Sequence, residues 1–277
     1  MSIAREPSLT DHSVTQRLFG LGRPSRGVDD CGEPLNHLSM DIDAIAATTT
    51  GTSYGGVLGV LLDDLLGFTL WNERGTRAGI VTAELSIDIL TPRRWQGPAL
   101  RAEARLLALT ADGGTSTAHV YDTAGTLIAT ATLWGNFVDD PGHEEGTYPS
   151  NTLQIPDFPT PGVPPLEWIG ARMEDGRQPR VVIPPNPLIS NKRGYMHGGV
   201  QACAASLAAN AAMNGDGPDM DAASVRINYF RPVSLDSDAT FTPAVIKSGR
   251  AVSVVRVTGT FGGQICSEAT VTGRRLV

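Results

Sequence analysis

The stretch Asn191-Lys192-Arg193-Gly194-Tyr195-Met196-His197-Gly198-Gly199-Val200-Gln201-Ala202-Cys203-Ala204-Ala205-Ser206-Leu207-Ala208-Ala209-Asn210-Ala211-Ala212-Met213 decides how the chain is read. Its character changes at the glycine pair. Before the pair, polar residues and Gly194 describe a loop. After it, Val200 to Met213 runs without proline and is apolar on nearly every side, enough for about four helical turns. A helix without a polar face must be wrapped. A curved antiparallel sheet is the natural wrapper.

An earlier stretch repeats the pattern. Thr48-x-x-Gly51-x-x-Tyr54-Gly55-Gly56-Val57 parallels Asn191-x-x-Gly194-x-x-His197-Gly198-Gly199-Val200 at an offset of 143 residues, from Tyr54 to His197. There too the glycines open a proline-free apolar run, Val57 to Leu70. Each run is followed by a segment alternating apolar and polar residues and ending at a proline, 81–92 in the first copy and 223–232 in the second. That is the signature of a half-buried strand. Three more strand-like runs follow in each copy, at 99–109, 116–121 and 126–137, and at 239–246, 251–261 and 264–271. Each half therefore reads as a leading strand, a long buried helix and four antiparallel strands, an α+β unit used twice.

The remaining segments read as connections. Residues 1–35 are polar and Gly/Pro-punctuated, and are expected to form a loose N-terminal extension. Residues 139–165 hold Pro156, Pro159, Pro161, Pro164 and Pro165 and read as a stiff linker. This leaves domains at 36–138 and 166–277. With 277 residues, 41% hydrophobic and 18% charged, the chain has material for a sizeable core. Its 22 Lys+Arg against 29 Asp+Glu give a net charge of −7 with no basic run, which argues against nucleic acid and anionic membrane surfaces as partners. The longest apolar stretch, Gly55 to Trp71, is interrupted by Asp63 and Asp64 and falls short of the ~20 residues that span a bilayer. Three scattered cysteines offer neither a disulfide framework nor a CxxC metal site. With no apolar leader, a cytoplasmic protein without a metal is expected.

The Asn-x-x-Gly-x-x-His-Gly-Gly loop, opening a central helix that antiparallel strands follow, resembles the hotdog fold. More narrowly, it resembles the phenylacetate-degradation type of acyl-CoA thioesterase. Because both halves carry the pattern, over residues 36–138 and 166–275, the chain resembles a tandem (double) hotdog. One polypeptide then supplies what is otherwise a homodimer. The first half matches the loop only at Gly51, Gly55 and Gly56. The resemblance implies an acyl-CoA substrate, no cofactor beyond the coenzyme A of that substrate, and a homodimer of the whole chain.

Candidate site residues follow from the loop and the helix. His197-Gly198-Gly199 stands at a helix N-terminus, where backbone N–H groups are unpaired and the helix dipole is positive. Gly198 and Gly199 let a substrate approach closely, so that the Gly198 N–H can hold a thioester oxygen. The plainer reading is a tight turn. Asp63 and Asp64 sit among aliphatic residues, where an unpartnered carboxylate is costly. Adjacent helical positions diverge by about 100°, so only one of the two is expected to face a given site. In the resembled family the catalytic carboxylate lies nine positions after the histidine. Counted from Tyr54, that is Asp63, with Asp64 as the alternative and a candidate substrate contact. Counted from His197, it is Ser206. The first half thus has the carboxylate without the histidine, and the second the reverse. In hotdog dimers the loop of one unit meets the carboxylate of the other, which implies one complete site, Asp63 with His197 and Gly198, and an opposite site, Tyr54-Gly55 with Ser206, that lacks both groups.

Asn191 is expected either to orient His197 or the thioester oxygen, or to satisfy its own turn. Lys247 and Arg250 at a hairpin, and Arg226 and Arg231 flanking a strand, are candidates for the coenzyme A phosphates, unless they are merely solvated. The small side chains of 201–210 either leave room for a bulky acyl group or let the helices pack closely. Two other functions fit the pattern less well. A hotdog hydratase or dehydratase would need an Asp-x-x-x-x-His loop or a proline-rich segment after the histidine, and both are missing. A non-catalytic acyl-thioester binder would not need the Asp63/His197 pair.

Overall fold

A computed structural model of the chain describes residues 13–42, 55–91, 95–139, 167, 169–174, 179–214 and 220–275. Thr48, Gly51 and Tyr54 of the first glycine loop, and residues 140–165 of the expected linker, lie outside the described residues. The helices are α1 (Val14–Leu18), α2 (Leu58–Trp71) and α3 (Gly198–Met213). The strands are β1 (Ser25–Val28), β2 (Pro34–Asp41), β3 (Gly79–Ile89), β4 (Ala99–Thr110), β5 (Gly113–Tyr121), β6 (Leu127–Val138), β7 (Arg172–Glu174), β8 (Arg180–Ile183), β9 (Met220–Tyr229), β10 (Ala239–Lys247), β11 (Val252–Phe261) and β12 (Gln264–Arg275).

All twelve strands join one antiparallel sheet in the order β1-β2-β4-β5-β6-β3-β9-β12-β11-β10-β8-β7. Outward from the centre, β3-β6-β5-β4-β2 is mirrored by β9-β12-β11-β10-β8. The repeat in the sequence is therefore a repeat in space, and β3 pairs with β9 where the halves meet, with Leu85 opposite Ile227 and Ile87 opposite Val225. The inward side chains of these strands bury both helices. Leu58, Leu61, Leu62, Leu65, Leu66 and Leu70 of α2 are all 0% exposed. On the outer face Arg226 donates to Ile87 O at 2.6 Å and to Asp88 Oδ1, tying the two halves together across the seam.

The helices cross antiparallel with their backbones in contact. A Cβ on Gly199 would lie 2.4 Å from Val60 Cα and 2.5 Å from Gly59 O, and one on Gly59 would lie 2.9 Å from Gly199 O and 3.0 Å from the Ala202 Cβ. Ala202, Ala205 and Ala209 are buried along the same helix. The small residues of α3 thus serve close packing, the second of the two roles open to them.

Residues 13–35 depart from the expected loose extension. Ser13 and Gln16 cap α1 reciprocally, Phe19 is 1% exposed, and Thr15 Oγ1 donates to Ser190 O at 2.8 Å. The segment has too few apolar residues to show a period, but Val14, Leu18, Phe19 and Leu21 are buried, and α1 packs against the 187–189 turn of the other half. β1 then extends the edge of the sheet beside β2.

Gly199→Ala should destabilise the protein by about 1–3 kcal/mol, the usual cost of overpacking, because the atoms that its methyl meets are backbone and cannot rotate away. Urea unfolding of the two proteins checks this. An unchanged midpoint would mean that the helices do not touch at this crossing.

Candidate active site

His197 is the N-cap of α3, and its Nδ1 lies 3.0 Å from the Gly199 N–H. Gly198, at the first helical position, is partly exposed. Its N–H has no carbonyl one turn back to reach, and no acceptor for it is found among the described residues. The antiparallel crossing carries α2 past this N-terminus. Asp63 Oδ2 accepts from the Gly199 N–H at 3.1 Å and lies 3.3 Å from His197 Nδ1. A Cβ on Gly198 would fall 2.7 Å from Asp63 Oδ2, so the carboxylate itself demands glycine there.

Thr82 is a site residue that the sequence pattern hid. Leu85, Ile87 and Ile89 of β3 point inward, and strict alternation would turn Thr82 out. A bulge between Thr82 and Glu84 reverses the parity, and Thr82 Oγ1 donates to Asp63 Oδ1 at 2.9 Å. Tyr229 on β9, read only as a strand residue, donates its hydroxyl to Gly198 O at 2.9 Å and holds the first turn of α3.

Asp64 does not point away from the site, contrary to the 100° argument. Its Oδ1 lies 3.2 Å from His197 Nε2. The imidazole presents nitrogens on two sides, so carboxylates on adjacent helical positions can each meet one. His197 is 5% exposed, and Asp63 and Asp64 are 11% and 16%. Asp64 Oδ2 is buried without a hydrogen-bond partner. Burial opposes protonation of His197, but the charge and hydrogen bond of Asp64, with the charge of Asp63, outweigh it and push the pKa up to about 9. Burial raises Asp63. The His197 charge opposes that rise, Asp64 adds to it, and the Thr82 and Gly199 hydrogen bonds oppose it.

The pKa of His197 and the contact from Gly199 to Nδ1 at first disagree, since a protonated Nδ1 cannot accept. Carboxylates on both sides favour the protonated ring. The imidazolium turns Nδ1–H to Asp63 Oδ2 and leaves the Gly199 N–H to that same oxygen. Burial pushes the Cys203 thiol on α3 up to about 12, too high for a nucleophile at neutral pH.

Among the described residues, the pseudo-symmetric crossing shows no matching carboxylate. Ser206 stands where Asp63 does, against Gly56, whose added Cβ would lie 3.0 Å from the Ser206 Cβ. A matching bulge in β9 turns Ala222 inward in place of Thr82.

The other expected site residues lie elsewhere. Asn191 Oδ1 accepts from the N–H groups of Arg193 and Tyr195 at 2.8 and 3.1 Å, so it braces its own loop and not the His197 ring. Arg226 is on the outer face of the sheet, bound to Asp88. Arg231 is two residues beyond Tyr229, with its guanidinium turned to Gln264. Lys247 and Arg250 flank the hairpin after β10. That hairpin is at the C-terminal end of α3, where a Cβ on Gly273 would meet Met213 and Val252 pairs with Arg274. The 16 residues of α3 put it about 24 Å of helical rise from Gly198.

The fold is that of the α+β double hotdog proteins: two long helices side by side within one antiparallel sheet, a glycine-led N-terminus of one beside a carboxylate of the other. Residues 189–273, which include the glycine loop, match the family model described as acyl-CoA thioesterase N-terminal domain. No curated protein matches the chain. Similar solved structures include acyl-CoA thioesterase II TesB2 from Mycobacterium marinum, with a TM-score of 0.57 and 12% identity over 86% of this chain and 92% of that one. The tesB protein of Mycobacterium avium subspecies paratuberculosis has a TM-score of 0.56 and 11% identity over 87% and 93%. An acyl-ACP thioesterase from Bacteroides thetaiotaomicron has a TM-score of 0.54 and 14% identity over 87% and 98%. At these identities the likeness is one of fold. Among the described residues no helix is long and apolar enough to cross a membrane.

The raised pKa of His197 sets a pH dependence. The folded value, about 9, is above the reference value of 6.5. Its contribution to stability is therefore complete below 6.5 and is lost as pH rises through about 9. Asp64→Asn should move the His197 titration to lower pH, read by NMR of the imidazole. An unmoved titration would mean that Asp64 does not hold the charge.

Proposed function

We propose that the protein hydrolyses acyl-CoA thioesters to free acid and coenzyme A at the composite site of Asp63, His197 and Gly198. The observation that carries the reading is the meeting of the Asp63 carboxylate from one half with the open N-terminus of α3 from the other. The thioester oxygen binds the Gly198 N–H, where the helix dipole favours the negative charge that develops on it. Asp63 Oδ2 faces both Gly199 N–H and His197 Nδ1, and Oδ1 takes Thr82, which leaves one lone-pair direction, on Oδ1, for chemistry.

Asp63 takes a proton from water as the oxygen of that water adds to the carbonyl carbon. The tetrahedral oxyanion collapses, the C–S bond breaks, and the proton passes to the departing thiolate. Direct attack by Asp63, giving an acyl anhydride that water then opens, uses the same geometry. The reaction requires no metal or redox cofactor, and coenzyme A enters as part of the substrate. His197, charged and held between two carboxylates, opposes the rise that burial gives the Asp63 pKa. The Ser206 crossing lacks a carboxylate and does not turn over.

A panel of short, long and aromatic acyl-CoAs, assayed by release of free thiol, tests the function. Asp63→Asn should lower kcat by about 10²-fold or more with KM little changed, the scale of a lost general base. Ser206→Ala should leave kcat within about twofold. Full activity in Asp63→Asn would sink the mechanism, and hydration of an enoyl-CoA without thiol release would move the protein to the hydratases.

A further inference from the structure

The four cations expected to serve the coenzyme A phosphates are turned elsewhere, but another stands on the site's own loop. Arg193 lies four residues before His197. Its guanidinium rests on the first half: a Cβ added to Gly79 would lie 2.2 Å from Arg193 Nη2 and 3.3 Å from Trp71 Cζ3. The seat exists because residue 79 has no side chain. Arg74 stacks over the face of the same indole, with Cζ 3.7 Å from the ring centroid. Two guanidiniums thus converge on Trp71. Among the described residues no carboxylate or other acceptor pairs with the Arg193 guanidinium, whereas the nearby Arg77 is neutralised by Asp139 at 2.5 Å and Asp112 at 4.0 Å. The open donor fork of Arg193 makes a seat for an anion.

The same two elements, β3 and α2, carry both this seat and the reacting atoms. The start of β3 runs beside α2, with Gly79 next to Trp71, Ile80 Cδ1 3.5 Å from a Cβ placed on Gly67, and Thr82 bonded to Asp63. Gly67 and Trp71 are both partly exposed. The eight residues from Asp63 to Trp71 amount to about 12 Å of helical rise, less than the length of an extended pantetheine arm. The 191–197 loop links Arg193 to His197 and Gly198.

Resting on the thioesterase reading above, we infer that Arg193, seated on Gly79 beside Trp71 and Arg74, binds the phosphate-bearing nucleotide end of coenzyme A, with the pantetheine arm laid along Gly67 and Ile80 towards Asp63. The site then selects a thioester by its nucleotide as well as by its acyl group. Its other possible carrier, an acyl-carrier protein, presents a phosphopantetheine without that nucleotide.

The test compares one acyl group on two thiols, coenzyme A and N-acetylcysteamine, which has no phosphate. Arg193→Gln should raise KM for the acyl-CoA by about tenfold or more, the scale of one lost charge-assisted hydrogen bond, and leave kcat within about twofold. For the N-acetylcysteamine thioester, kcat/KM should not change. Gly79→Ala keeps the charge but fills its seat, and should give the same pattern more weakly. An equal loss on both thioesters would make Arg193 a brace of the loop and overturn the proposal, as would an unchanged KM for acyl-CoA. A loss confined to an acyl-carrier-protein thioester would overturn it in favour of a protein-borne carrier. Calorimetric titration with free coenzyme A separates the two readings. Binding that Arg193→Gln weakens about tenfold supports the seat even if no thioester is hydrolysed, and binding that it leaves unchanged refutes the seat even if hydrolysis is seen.

Discussion

The backbone of Gly199 lies against the backbone of Gly59 and Val60, and the rest of the molecule is arranged around that contact. Side chains of ordinary size at either position would separate the helices by more than a hydrogen bond can bridge. With glycine there, the Gly199 N–H reaches the Asp63 carboxylate, and the N-terminus of α3 faces α2 instead of solvent. The same crossing lets one sheet enclose both helices, since β3 and β9 can pair only if what they cover is narrow. Stability and site geometry therefore rest on the same few ångströms. A hydrophobic junction of larger residues would hold the halves together but would have no chemistry at its centre.

The two crossings show what duplication permits. A homodimer must build both sites from one sequence. A fused pair is free of that constraint, and here the two copies have diverged in complementary ways. Asp63 and Thr82 belong to one half and face His197, Gly198 and Tyr229 of the other. Opposite them, Ser206 and Ala222 occupy the same places in the fold without a charge or a second hydroxyl. Both copies still keep the bulge after residue 82 or 222, because it shapes the sheet around the helix whatever side chain it presents. The conservative part of the repeat is its backbone, and the chemistry is carried by side chains laid on it.

Charge inside the site is handled by pairing. Asp63 and Asp64 are adjacent in the chain and both largely buried, which would be unfavourable for two carboxylates alone. His197 lies between them as an imidazolium, one ring nitrogen towards each. Hydrogen bonds from Thr82 and Gly199 complete the shell of Asp63, while Asp64 Oδ2 is left without a partner. The cost of burying these groups is thereby offset where the helix dipole also acts.

Periodicity and spacing, both properties of the chain as a line, were enough to reveal two apolar helices, period-two strands after each and the offset between copies, while the split of Asp63 and His197 between halves was what the family resemblance implied. What depends on how lines lie together was hidden. Thr82 has the wrong parity for the core until a bulge, set by pairing with β6, turns it inward. Asp64 diverges from Asp63 on the helix, and only the width of an imidazole from the other half reunites them. The 13–35 segment shows no period, yet α1 packs against the 187–189 turn, far away in sequence. Arg193 is an ordinary loop cation until Gly79, more than a hundred residues earlier, offers it a seat, whereas Lys247 and Arg250 look equally suitable in the sequence and lie at the wrong end of α3. Local order follows from the backbone and the hydrophobic pattern. Which side chains meet was decided by the antiparallel crossing of two helices, because distance along the chain carries no information about distance across it.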